Sequence, residues 1–128
     1  MDTKTAIAFD NLEEQLSTVF FEIEKLSKSK PDNPINKFKL GFINNLLEEG
    51  NKILGQKSLP LKDFSLFTED DLPTNSDVVF VLSQYLKKLD LVRYENTEFI
   101  SGNLVWKTDA KEKIKTKKSN HYYKLNTR

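Results

Sequence analysis

Pro73 to Tyr94, PTNSDVVFVLSQYLKKLDLVRY, carries the longest apolar register in the chain. Val78, Leu82, Tyr85, Leu89 and Val92 recur at spacings of four, three, four and three, which puts them on one stripe of an α-helix. Val79 and Leu86 widen that stripe, as a helix packed against more than one neighbour requires. Pro73 cannot continue an earlier helix, and Thr74, Asn75 or Ser76 can each cap the new one. Asp77 in the first turn and Lys87 and Lys88 towards the far end suit the helix dipole. The spacing therefore predicts a central core helix over about 76–93, with Leu82 fully buried and the rest of the chain packed around it.

Two more helices precede it. Over 10–28, Leu12, Leu16, Val19, Ile23 and Leu26 repeat the same stripe, with Asp10 and Glu13 in a capping-box arrangement at its start. Phe21 lies off the stripe and is read as a second core contact. After the polar turn KSKPDN, Asn33 caps and Pro34 opens a helix over 34–54, burying Ile35, Phe38, Phe42, Leu46 and Ile53, with Ile43 and Leu47 alongside. Gly41 and Gly50 interrupt it, implying close packing or a break, and Gly55 ends it. So short a connection makes these two helices an antiparallel hairpin. The segment 56–72 is too apolar for a free linker and should lie across the bundle. Its carboxylates Asp63, Glu69, Asp70 and Asp71 lack the spacing and glycine of a calcium loop and read as a solvated acidic turn.

After Tyr94 the period changes. Residues 98–107 (EFISGNLVWK) read as a β-hairpin around Ser101-Gly102-Asn103, and 121–125 as a third strand. Between them, 109–120 is lysine-rich without a hydrophobic face and is expected to be mobile, ordering only against an acidic surface. That surface is a nucleic acid, an acidic partner, or the 63–77 region of a second copy. The expected fold is thus mainly α. A helical hairpin and a third core helix form a small bundle in one domain, 1–128, with a short C-terminal β-hairpin and a basic tail.

Composition bounds the function. At 128 residues, with 38% hydrophobic and 30% charged residues, the chain is long enough for one core. Without cysteine there is no disulfide framework or thiolate chemistry, which fits the cytoplasm. No stretch is apolar enough to span a bilayer. Residues 107–128 hold eight Lys or Arg against Asp109 and Glu112, a net +6, so the other 106 residues carry −5 of the overall +1. His121 is the only histidine and sits among basic residues with no orienting partner in view. Phosphate loops, nucleophile elbows, metal-ligand spacings and dinucleotide fingerprints are all missing, and the pairs Glu13-Glu14 and Glu48-Glu49 read as solvated helix faces. No enzyme, no cofactor and no small-molecule substrate are expected.

Two functional readings remain. SQYLKKLDLVRYEN, residues 83–96, resembles the end of the recognition helix and the start of the wing in winged-helix transcription factors, where a Leu-Lys-Lys-Leu-like helix end leads into a strand such as Leu-Val-Arg-Tyr. The resemblance implies a DNA- or RNA-binding regulator, with helix 76–90 and a basic wing and tail over 93–128. It requires the chain to leave the helix near Leu89 to Val92, whereas the bundle keeps Val92 on the helical stripe. In that reading Lys107, Lys111, Lys113, Lys115, Lys117, Lys118 and Lys124 contact phosphates, and Trp106, Tyr122 and Tyr123 stack on bases. The favoured reading is a non-enzymatic interaction or accessory module. Its broad apolar stripes leave a face for a protein partner or a second copy, and the same tail residues are the candidate contacts.

Overall fold

A computed structural model describes residues 1–119, and their order is three helices followed by a β-hairpin. Helix α1 spans Thr3–Ser29, α2 Lys37–Leu54 and α3 Asn75–Glu95, with strands β1 Thr97–Ile100 and β2 Asn103–Trp106. The mainly helical bundle with a C-terminal hairpin is the architecture expected from the sequence. The expected strand at 121–125 lies outside the described residues.

Helix α3 forms as its sequence dictates. The Thr74 side chain accepts the Asp77 backbone N–H while the Asp77 carboxylate accepts that of Thr74, closing a capping box. Val78, Leu82, Tyr85 and Leu89 are fully buried, and Val92 is half-buried on the same stripe.

Helix α1 starts a full two turns before the expected Asp10. Asp2 is its cap, accepting the Thr5 N–H at 2.7 Å. That bond, backbone and side chain of Thr5 together, holds the Asp2 carboxyl below its ordinary value. Ala6 and Phe9 extend the buried stripe of Leu12, Leu16 and Ile23. Phe21 is not a core contact: it is 59% exposed, its ring touching only the edge of Phe20 among aromatic neighbours.

Helix α2 opens later and is rotated from its expected setting. Asn36, not Asn33, is the cap, accepting the N–H groups of Phe38 and Lys39. The buried positions are Leu40, Ile43, Leu46, Leu47 and Gly50, so Phe38 and Phe42 point away from the core. Gly50 lies on the buried side, where a Cβ would sit 3.7 Å from the Tyr85 ring and 3.8 Å from Leu12, in ordinary van der Waals contact. Gly41 faces open space and neither breaks the helix nor packs closely.

These contacts also set the directions. Gly50, late in α2, meets Leu12, early in α1, so the two run antiparallel. Asn75, which opens α3, donates to the Lys30 carbonyl just beyond α1, while Arg93 reaches back to Asp10. Helix α3 therefore also runs against α1 and alongside α2. The turn before α2 is stitched to the start of α3 by Ile35 N–H to the Pro73 carbonyl and Asn75 N–H to the Asn33 carbonyl, both 2.9 Å. The connection 55–74 returns along α2, as expected of so apolar a segment. Asn44 exchanges two hydrogen bonds with the Phe67 backbone, Asn51 donates to the Ser65 carbonyl, and Phe64 sets its ring on Tyr85.

The hairpin pairs Thr97 with Trp106 and Ile100 with Asn103 across a turn in which Ser101 and Gly102 both have positive φ, the geometry of a type I′ turn. A third rung follows, in the segment expected to be mobile. Trp106 N–H donates to the Ile114 carbonyl and Thr116 N–H to the Leu104 carbonyl, both at 3.0 Å, with Val105 bridged to Lys115. Within the 113–119 segment, residues 114–116 thus lie along β2. They need no hydrophobic face of their own, because the outer edge of β2 supplies their backbone partners.

A buried arginine cluster and the exposed faces

The hairpin is fastened to α1 through one buried cation. Arg93 lies at i+4 from Leu89, on the buried side of α3, and its side chain is only 1% exposed. Its Nη2 donates to Asp10 Oδ1 and to Glu13 Oε1, each at 2.8 Å. Its Nη1 donates to Thr116 Oγ1, which in turn donates to Asp10 Oδ1 at 2.9 Å. The guanidinium carbon also lies over the edge-to-face pair of Phe9 and Trp106, 5.3 and 5.1 Å from their ring centres. Trp106 Nε1 donates to the other Asp10 oxygen at 3.0 Å, and Lys117 meets Glu13 at 2.9 Å. Two cations and two carboxylates balance, which is what a charge withdrawn from water needs. The cluster joins four parts of the chain that are far apart in sequence: α1, α3, β2 and the 113–119 segment.

Glu13 was expected on a solvated face. It is buried instead, because it lies at i+4 from Phe9 and i−3 from Leu16, on the core side of α1, where Arg93 neutralises it. Its neighbour Glu14 is exposed, as are Glu48 and Glu49.

The expected contact residues divide into four groups. Trp106 is fully buried and wedged against Phe9 at 5.0 Å, leaving no ring face for a base. Lys117 is engaged by Glu13, Lys113 donates to the Thr108 carbonyl, Lys118 stands over the Phe99 ring at 5.6 Å, and Lys107 reaches the Glu95 carbonyl at 3.4 Å. Lys111 and Lys115 are exposed, with no ion pair among the described residues. Tyr122, Tyr123 and Lys124, like His121, lie outside the described residues. The strand that the winged-helix resemblance requires at Leu91 to Tyr94 is helix, since α3 continues to Glu95.

Sequence reasoning missed a different set of residues. Phe38 is 84% and Phe42 46% exposed, one turn apart on the outward side of α2. Phe42 also walls a groove on the α1 side with Gln15, Thr18, Val19 and the carboxylates Glu14 and Glu22. Neither glutamate has an ion pair among the described residues. Elsewhere, Phe99 and Ile100 stand out from the hairpin.

The acidic turn 69–71 is a single exposed 3₁₀ turn, with Glu69 paired to Lys37 at 3.5 Å on the surface. No group among the described residues is arranged to hold a metal ion, and no helix there is long and apolar enough to cross a membrane. Comparison with family models, curated proteins and solved structures gives no match to this chain.

Proposed function

We propose that this chain is a non-enzymatic interaction module that acts through protein–protein contacts in the cytoplasm, with the outward face of α2 as the contact surface. The observation that carries the reading is the exposure of Phe38 and Phe42 on a helix whose opposite face is filled by Leu40, Ile43 and Leu47. Burying a phenylalanine side chain contributes roughly 1.5–3 kcal/mol, and two left outside on one helical face are a source of binding energy that folding has not used. Aromatic anchors of this kind dominate the energetics of protein interfaces. Catalysis finds little support among the described residues, because the buried cluster around Arg93 is occupied by its own internal ion pairs.

The test compares the purified chain on heparin with its cross-linked partners in a nuclease-treated extract. The reading expects passage through heparin at physiological salt and a discrete cross-linked protein adduct. Strong heparin retention lost at moderate salt, together with binding to an oligonucleotide, would reverse it in favour of nucleic acid.

A further inference from the structure

Asn11, Gln15, Thr18 and Glu22 line the groove beside Phe42 at spacings of four, three and four. They form one stripe of α1, so the groove follows that helix for three turns, about 16 Å at roughly 1.5 Å per residue. All four are exposed, and so long and shallow a channel fits an elongated ligand better than an enclosed small molecule. Both walls are helices whose backbone groups are bonded within them, so no strand can be added here and recognition falls to side chains. An amphipathic helix meets that condition, because it satisfies its own backbone while presenting a row of apolar side chains. The apolar surface it would meet is Val19, Phe42 and, one turn away along α2, Phe38. Glu14 and Glu22 border this surface, eight residues or about 12 Å apart along α1. Neither has an ion pair among the described residues, and the lining holds no lysine or arginine. A negative rim of this kind repels phosphate, which disfavours nucleic acids and anionic membranes, and it steers cations in.

We infer that the α1/α2 groove binds a cationic amphipathic α-helix of a partner protein, laid along α1 with its apolar row on Phe42, Val19 and Phe38 and its basic residues against Glu14 and Glu22. This rests on the proposed protein-binding role of the α2 face and names the kind of partner. Residues seven or eight apart return to the same side of a helix after two turns, so such a partner presents both cations together with the apolar positions between them. The aromatic anchors supply most of the affinity, and the glutamates set the choice of partner and the association rate. One row of anchors makes a small, reversible contact, and the charges make it salt-sensitive.

Fluorescence anisotropy tests this with a labelled peptide of about 18 residues built from Ala, Leu, Lys and Gln, with leucines along one face and lysines about seven apart on its border. A twin carries Glu in place of every Lys. At about 0.1 M salt the wild type is expected to bind the lysine peptide at least about tenfold more tightly than the twin, and to lose most of that preference at about 1 M. Phe42→Ser should weaken the lysine peptide at least about tenfold. Glu14→Gln with Glu22→Lys should weaken it as much and turn the preference towards the twin. Far-UV circular dichroism checks that the variants are folded. Glu22→Lys alone, more than two turns from Glu13, repeats the measurement should the pair unfold. No binding of the lysine peptide up to about 1 mM overturns the inference. So does equal binding of the two peptides, or lysine-peptide binding that the charge variant leaves unchanged. Cross-linking in extract separates this from the reading beneath it. An adduct lost in Phe38→Ser with Phe42→Ser but kept in Glu22→Lys leaves the α2 face as a contact surface and overturns its cationic partner. An adduct of two copies of this chain, lost in the same double variant, does likewise. If no adduct depends on Phe38 and Phe42, the interaction reading falls and this inference with it.

Discussion

Replacing Arg93 with Met should cost this fold about 3–5 kcal/mol, the usual loss when one partner of a buried ion pair is removed. The side chains of Arg93 and Glu13 are 1% and 6% exposed, so Arg93→Met leaves the Glu13 carboxylate in a dry site with only Lys117 to balance it. Asp10, 31% exposed, keeps the Trp106 and Thr116 donors and some access to water, which holds the cost nearer the lower limit. Loss of the contacts with the Phe9 and Trp106 rings adds about 0.5–2 kcal/mol, while the methionine chain retains most of the volume. Urea titration followed by far-UV circular dichroism reads the change as a shift in midpoint at constant slope. A companion variant separates charge from packing. Adding Asp10→Asn and Glu13→Gln to Arg93→Met removes the buried charges, leaving only the solvent-exposed Lys117 without a partner, and should recover at least half of the loss. A single-variant cost under about 1 kcal/mol, or a triple variant no better than the single, would refute the view that the cluster holds the hairpin to α1.

Leu82, fully buried at the centre of α3, should cost about 2–5 kcal/mol as Leu82→Ala in the same titration, and a loss under about 0.5 kcal/mol would mean that the core lies elsewhere. Thr116→Val removes the hydroxyl that links Arg93 to Asp10 and should cost about 1–3 kcal/mol, with the emission of Trp106 moving to the red as the 113–119 segment loosens. Burial raises the Tyr85 phenol above its ordinary value of 10.0, against the smaller, lowering effect of its hydrogen bond to Asn51 at 2.6 Å. The folded state therefore keeps that proton after the unfolded chain has lost it. The associated stability is fully present below pH about 10 and is lost as the pH rises through the folded value. Stability measured on either side of pH 10 should fall more steeply for the wild type than for Tyr85→Phe, and equal slopes would contradict the burial argument.

How much of this was legible in the sequence varies by element, for physical reasons. Helix α3 was clear because its stripe, proline stop and capping box agree. The start of α1 was hidden by Asp10 and Glu13, which have the spacing of a cap and serve instead as the two carboxylates on Arg93. Ala6 and Phe9, continuing the apolar stripe before Asp10, were the available signal. In α2 two stripes compete, and bulk favoured Phe38 and Phe42 over a stripe that ends in Gly50. A glycine contributes nothing to a hydrophobic pattern, although Gly50 is itself buried beside Tyr85 and Leu12. Arg93 entered only as part of the strand-like Leu-Val-Arg-Tyr run, yet its place four residues after Leu89 put a charge on the buried side and called for a buried counter-charge. The 113–119 segment had no such signal. Its order comes from the edge of β2 and from polar bonds to α1, and neither leaves a periodic trace.

The central claim is that Phe38 and Phe42 serve a partner and not the core. Phe38→Ser with Phe42→Ser, read together for thermal stability and for cross-linked adduct, tests it most directly. At its exposure Phe38 should contribute no more than about 0.5 kcal/mol to folding, and the half-exposed Phe42 about 1 kcal/mol. The account predicts a midpoint lowered by no more than about 5 °C, with the adduct gone. A midpoint lowered by about 10 °C or more with the adduct retained would contradict it.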